Sequence, residues 1–146
     1  RLVLVMRLQD PKMSLLIYET GKVICSGARN VADALSSGDR LVTLLAERNI
    51  PSRVKEPPLI ANIVAVVTYA REIDLESLAL GVEGVEYEPE QFPGATVRLE
   101  DGLLDSRASF LVFTTGKVVC LGCTSEKEVY YSIEKLFKRL DTLLAR

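Results

Sequence analysis

The side chains most able to do chemistry are three cysteines, Cys25, Cys120 and Cys123. Cys120 and Cys123 have the C-x-x-C spacing found in structural zinc sites. A zinc site needs four ligands, and the chain offers one further cysteine and no histidine. A complete zinc site within one chain is therefore not expected, and the cysteines read as reduced core thiols. The absence of histidine also removes Ser-His-Asp and Cys-His triads, zinc proteases and imidazole bases. No catalytic residue, metal or cofactor is assigned. Eighteen Lys and Arg against twenty Asp and Glu leave a net charge of −2, which argues against a simple phosphate-binding polycation.

The 146 residues suffice for one domain or for two small halves, and with 48% apolar and 26% charged residues the chain is globular. No run reaches the ~18 apolar residues of a membrane span. The opening Arg1-Leu-Val-Leu-Val-Met is too short for a signal-peptide core. A cytoplasmic protein without a membrane partner is expected.

An internal repeat organises the chain. Leu15-Leu-Ile-Tyr-Glu-Thr-Gly-Lys-Val-Ile-Cys-Ser-Gly27 aligns with Phe110-Leu-Val-Phe-Thr-Thr-Gly-Lys-Val-Val-Cys-Leu-Gly122 at a constant offset of 95. Upstream, Met6-Arg7-Leu8 matches Val97-Arg98-Leu99 at an offset of 91, so the second copy carries an insertion at Glu100–Arg107. In each copy two β-rich runs flank Thr-Gly-Lys, which predicts a hairpin with glycine at its tight position. A helix follows each. The first spans Asn30–Arg48 and carries Val31, Leu35, Val42 and Leu45. Gly38 inside it marks a weakened turn or, alternatively, close backbone packing. The second opens on the capping box Ser125-Glu-Lys-Glu128, with Val129, Ile133, Leu136, Phe137, Leu140 and Leu144 on one face.

The second copy has a leader: a strand at Asn62–Tyr69, a short helix capped by Asp74, and a loop over Tyr87–Gly94. The first copy begins at its middle strands, so its own leader has been lost or precedes this sequence. The organisation expected is a first repeat over 1–50, a Pro-containing linker over 51–58 and a second repeat over 59–146.

Alternation along the strands puts Val64, Leu111, Phe113, Val119 and Leu121 on the face that amphipathic helices cannot cover. An antiparallel sheet with one face in water should alternate apolar with polar. This face does not, which points to a partner, a second layer or a dimer.

The chain resembles the TATA-binding protein family. The resemblance rests on Tyr87-Glu-Pro-Glu-Gln-Phe-Pro-Gly94 followed by Val97-Arg98-Leu99, on Phe110–Gly122, and on the leading Asn62-Ile-Val. It covers essentially the whole chain, in two tandem copies, and suits an archaeal-type member. It implies an α+β saddle of two pseudo-symmetric copies, a curved antiparallel sheet with helices on its convex face. It also implies a concave face that binds the minor groove of a TATA element, and no enzymatic activity.

By that resemblance Phe92 and Phe113 fall on wedge positions, and Asn62 on a position that hydrogen-bonds base acceptors. Val64, Leu111, Val119 and Leu121 fall on the groove-facing surface, and Arg98 and Lys117 on backbone contacts. In the first copy Ser14, Leu16, Ile24 and Ser26 face the groove, and Arg7, Lys22 and Arg29 are the basic candidates. Glu88 and Glu90 match the surface that receives transcription factor B, through which RNA polymerase is recruited. The chain departs from the family where Tyr18 and Arg1 occupy wedge positions, where Leu121 replaces a threonine and where Thr124 replaces a lysine. A second reading is a paralogue that keeps the saddle as a protein-interaction module. A third is an enzyme's substrate-binding appendage.

Overall fold

Both sheets are pinned by the same turn. Gly21 and Gly116 sit at φ 92° and 94°, a left-handed conformation that disfavours a side chain. The preceding threonine hydroxyl accepts from the lysine N–H in both copies, at 3.4 Å for Thr20–Lys22 and for Thr115–Lys117. The structure is a computed structural model that describes residues 2–99 and 107–145. Arg1 and most of the insertion at Glu100–Arg107 lie outside the described residues.

Two compact units divide the chain, residues 1–60 and 61–146. The first contains β1 (Val3–Leu8), β2 (Met13–Tyr18), β3 (Val23–Ser26) and α1 (Val31–Glu47), with an antiparallel sheet in the order β1-β2-β3. The second contains β4 (Ile63–Thr68), α2 (Leu75–Gly81), β5 (Val85–Glu86), β6 (Ala95–Val97), β7 (Ser109–Val112), β8 (Lys117–Cys123) and α3 (Glu126–Leu144). Its sheet runs β4-β8-β7-β6-β5, all antiparallel.

The helices start where side-chain oxygens satisfy their free N–H groups. The Asn30 side chain accepts from Asp33 N at 2.8 Å, Asp74 from Glu76 and Ser77, and Ser125 from Glu128 N at 3.1 Å. The Glu128 carboxylate reaches back one residue further than a simple capping box requires, accepting from Thr124 N at 3.4 Å.

The second unit's core runs along one face of its sheet. Val97, Phe110, Val112, Val118 and Cys120 are fully buried there against Leu78 of α2 and Leu136 and Leu140 of α3. The end of β4 is tied to α3. The Tyr69 hydroxyl donates to Asp141 at 2.5 Å, and its ring meets Phe137 edge-on with centroids 5.1 Å apart. That hydrogen bond, with burial, holds the Tyr69 hydroxyl pKa above its ordinary value.

The first unit's core is smaller, centred on Leu8, Met13, Leu15 and Leu41. Its short β1–β2 turn is anchored by Arg40 of α1, which donates to the carbonyls of Gln9 and Pro11 at 2.9 and 3.0 Å. One expectation changes here, and one open alternative is narrowed. Leu35 faces outward, and the buried side chains of α1 are Ser37 and Leu41, one helical turn apart. Gly38 is a close-packing glycine: a Cβ there would lie 3.2 Å from Val54 Cγ2. The segment Pro51–Pro58 thus belongs with the first unit.

Repeat-equivalent residues differ in their surroundings. Val118 is 0% exposed between β7 and β4, whereas Val23, on a strand that pairs with β2 alone among the described residues, is 37% exposed. Val118→Ala should therefore cost about 2 kcal/mol of stability, and Val23→Ala less than about 1 kcal/mol. Chemical denaturation of the two variants measures both.

Candidate nucleic-acid interface

The register of the second sheet lines up directly opposed residues into rows across its strands. One row runs Glu86–Thr96–Leu111–Val119–Val66. The adjacent row on the opposite face runs Val85–Val97–Phe110–Cys120–Ala65 and packs against the helices. Alternation therefore commits Leu111, Val119 and Val66 to the helix-free face. Val64 and Val66 are 57% and 61% exposed there. Leu111, Val119 and Leu121 are half-buried beside them, with Leu121 opposite Ser109. The exposed Arg98 follows buried Val97 and the exposed Lys117 precedes buried Val118, so both fall on this face too, at its margins.

Phe92 and Phe113 meet at one end of this surface. Their centroids are 5.8 Å apart with the rings inclined at 63°, an edge-to-face pair. Phe92 is held by a turn in which the N–H groups of Gln91 and Phe92 both donate to the Glu88 carbonyl, at 2.9 and 3.0 Å. It stays 41% exposed. Glu88 and Glu90 on the same turn are exposed to solvent. Gly94 is the residue that lets the rings meet, and residue patterns alone had assigned it no role. A Cβ on Gly94 would come within 2.8 Å of Phe92 and 3.0 Å of Phe113.

Asn62 lies one residue before β4, where the β4–β8 register shifts between Ile63 and Ala65. Its side-chain carbonyl accepts from Gly122 N at 2.7 Å. Among the described residues no partner is recorded for the amide's two N–H donors.

The first sheet repeats the arrangement with fewer strands. Val5–Leu16–Ile24 and Arg7–Ser14–Ser26 form rows on its helix-free face, and Tyr18 opposes Val3 there. Arg7, Ser26, Lys22 and Arg29 are exposed, and Leu16, Ser14 and Tyr18 are half-buried. Thr96, Val66 and Val5 join these rows without having been singled out as site residues; their strand parity was the signal that could have found them.

Cys120 and Cys123 approach with their Sγ atoms 3.8 Å apart, both fully buried. Burial, first, and the neighbouring thiol push Cys120 up to about 12, so it is no nucleophile at neutral pH. No group of three or more potential metal ligands forms among the described residues.

The family described as "Transcription factor TFIID (or TATA-binding protein, TBP)" matches residues 2–48 and 57–143. The chain belongs to the TATA-binding protein family. This places it among archaeal-type transcription factors and not among enzymes. It is 41% identical over 139 residues to the TATA-box-binding protein of Thermoplasma volcanium, covering 94% of this chain and 73% of that protein. It is 39% identical over 140 residues to that of Pyrobaculum neutrophilum, covering 96% and 69%. The solved structure of Methanococcus jannaschii TBP superposes with a TM-score of 0.82 at 37% identity, covering 96% of this chain and 78% of that one. The family's α+β architecture of two similar sheet-and-helix units is thus the architecture of this chain.

Gly94→Ala should part the two phenylalanine rings while leaving the fold in place, because the backbone at Gly94 is not in the left-handed region. The check is the nuclear Overhauser contact between the rings in the free protein. A retained contact would overturn the role given to Gly94.

Proposed function

We propose that this chain is a transcription initiation factor that binds the minor groove of a TATA-like promoter element. The observation that carries the reading is the helix-free face with its rows of aliphatic side chains. An A·T-rich minor groove offers acceptors and few donors, so a surface of aliphatic side chains with sparse donors suits it. Asn62 supplies such donors from beside β4. Phe92 and Phe113 unstack a base step and bend the duplex, a behaviour for which this protein family is itself the standing example. In the first copy Tyr18, Leu16, Ile24 and Ser26 contact the groove. Arg7, Lys22, Arg29, Arg98 and Lys117 meet phosphates.

Phe92→Ala and Phe113→Ala should each weaken binding to a TATA duplex by about ten- to a hundredfold and reduce its bending. Fluorescence transfer across end-labelled duplexes measures the bend. An unchanged bend in the double variant would remove the wedge role, and absent binding by the unaltered chain would favour the protein-interaction reading.

The exposed Glu88 and Glu90 cannot face phosphates without repulsion. They serve transcription factor B, and through it RNA polymerase. Rim charges of this kind tune encounter rate and specificity. Changing both to Lys should leave TATA binding equal or tighter and weaken the ternary complex with transcription factor B, as read by gel shift with and without that factor. Loss of binary binding would instead put the two glutamates at the DNA.

A further inference from the structure

The two copies write one pattern twice, so a position where their helix-free faces differ in polarity marks a difference in what each copy can read. One row of the first sheet runs Arg7–Ser14–Ser26. Its repeat equivalents are Arg98, Ser109 and Leu121, with Ser109 and Leu121 directly opposed on β7 and β8. A hydroxyl on β3 is thus an isobutyl group on β8. The neighbouring row changes in the other sense. Val5–Leu16–Ile24 corresponds to Thr96–Leu111–Val119, so β6 carries a hydroxyl where β1 carries none.

Thr96 does not stand in for the hydroxyl absent at Leu121. Leu121 lies two residues beyond Val119 on β8, and Thr96 opposes the same row from β6, two strands away. The offset is roughly 7 Å along the strands and about 10 Å across them. A base pair rises only about 3.4 Å, so the two positions lie over different pairs. The polar group beside Leu121 is Asn62. Its carbonyl already accepts from Gly122 N at 2.7 Å, and its amide nitrogen can only donate.

On the minor-groove reading proposed above, we infer that Leu121 is a specificity-determining residue: it makes the second unit reject a G·C pair at the position where the first unit, through Ser26, admits one. Every base pair presents acceptors in the minor groove, and only G·C adds a donor, the guanine amino group. A serine hydroxyl donates to the acceptors or accepts from that amino group. Leu121 does neither, and the Asn62 N–H groups beside it cannot accept. A guanine amino group covered by these two side chains loses its water and gains no partner. Thr96 offers an acceptor again, over another pair. The element is therefore read unequally, with G·C admitted at different places by the two units.

The test measures the affinity of the full chain for a panel of TATA duplexes, each with one A·T pair replaced by G·C. A matched panel carries I·C, because inosine lacks the amino group. In the unaltered chain one pair should show a G·C penalty of about tenfold or more that I·C removes. Leu121→Ser should relieve that penalty by about tenfold at that pair and leave the others unchanged. Ser26→Leu, at an exposed position that does not burden the fold, should create a penalty of similar size at a different pair. Thr96→Val should do so at a third. Penalties that are the same in the unaltered chain and the variants, with TATA binding intact, would overturn this inference alone. So would relief by Leu121→Ser spread evenly over the panel, or relief of equal size on the I·C duplex. Absence of TATA binding by the unaltered chain would instead overturn the minor-groove reading itself, and this inference with it.

Discussion

Strand alternation is the constraint on which the rest of the second unit depends. Phe110, Val112, Val118 and Cys120 must leave water, and α2 and α3 cover them. Every burial on that face forces an intervening residue onto the other. Those intervening residues are Leu111, Val119 and Leu121, with Val64 and Val66 from β4. Apolar side chains on a helix-free surface are worth more when another surface covers them, at about 25 cal/mol per Å². The same alternation that builds the core thus builds a sticky face, and the cost of leaving it wet is recovered only on binding.

What could be read from residues alone was whatever depends on periodicity and turn chemistry. The repeat, the Thr-Gly-Lys hairpins, the caps at Asp74 and Ser125, and the faces of β4, β7 and β8 all follow from local rules, and the structure holds them. Contacts between residues distant in sequence were not legible. Leu35 fits an apolar helical stripe as well as Leu41 does, and only packing on β2 and β3 decides between them. Gly38 gave no sign of Val54, sixteen residues away. The aromatic pair was visible as two residues, but Gly94 became their hinge point only once the turn at Glu88 brought Phe92 against Phe113.

The two units show how much the same local sequence depends on what surrounds it. Ser37 and Ser132 are repeat equivalents, and both are buried polar residues in their helices. Ser37 satisfies its hydroxyl within its own helix by donating to the Ala34 carbonyl at 2.7 Å, a local solution that survives in the smaller core. Leu45 and Leu140 are equivalents too, yet only Leu140 has a filled environment. The bond in the Thr-Gly-Lys turn repeats in both copies, whereas burial differs between equivalent residues.

One irregularity in β8 links the C-x-x-C spacing to the candidate interface. Gly122 sits at φ 92°, where a side chain is disfavoured, and a Cβ there would also strike the Arg107 carbonyl. The register with β4 shifts at this point. In a regular strand, residues three apart face opposite sides. The shift instead turns Cys120 and Cys123 both inward, so the C-x-x-C spacing produces two buried thiols that face each other, with Cys123 also against Ser132. It also frees the Gly122 N–H from the β4 ladder to reach the Asn62 carbonyl. That bond fixes which end of the Asn62 amide is spent within the protein. What remains is a pair of donors, the polarity that an acceptor-lined groove requires. In the first copy Gly27 keeps the positive φ, at 81°, but Ala28 stands where Cys123 stands in the second. The positive-φ glycine is therefore common to both copies while the thiol pair is not, so the backbone geometry does not depend on the cysteines.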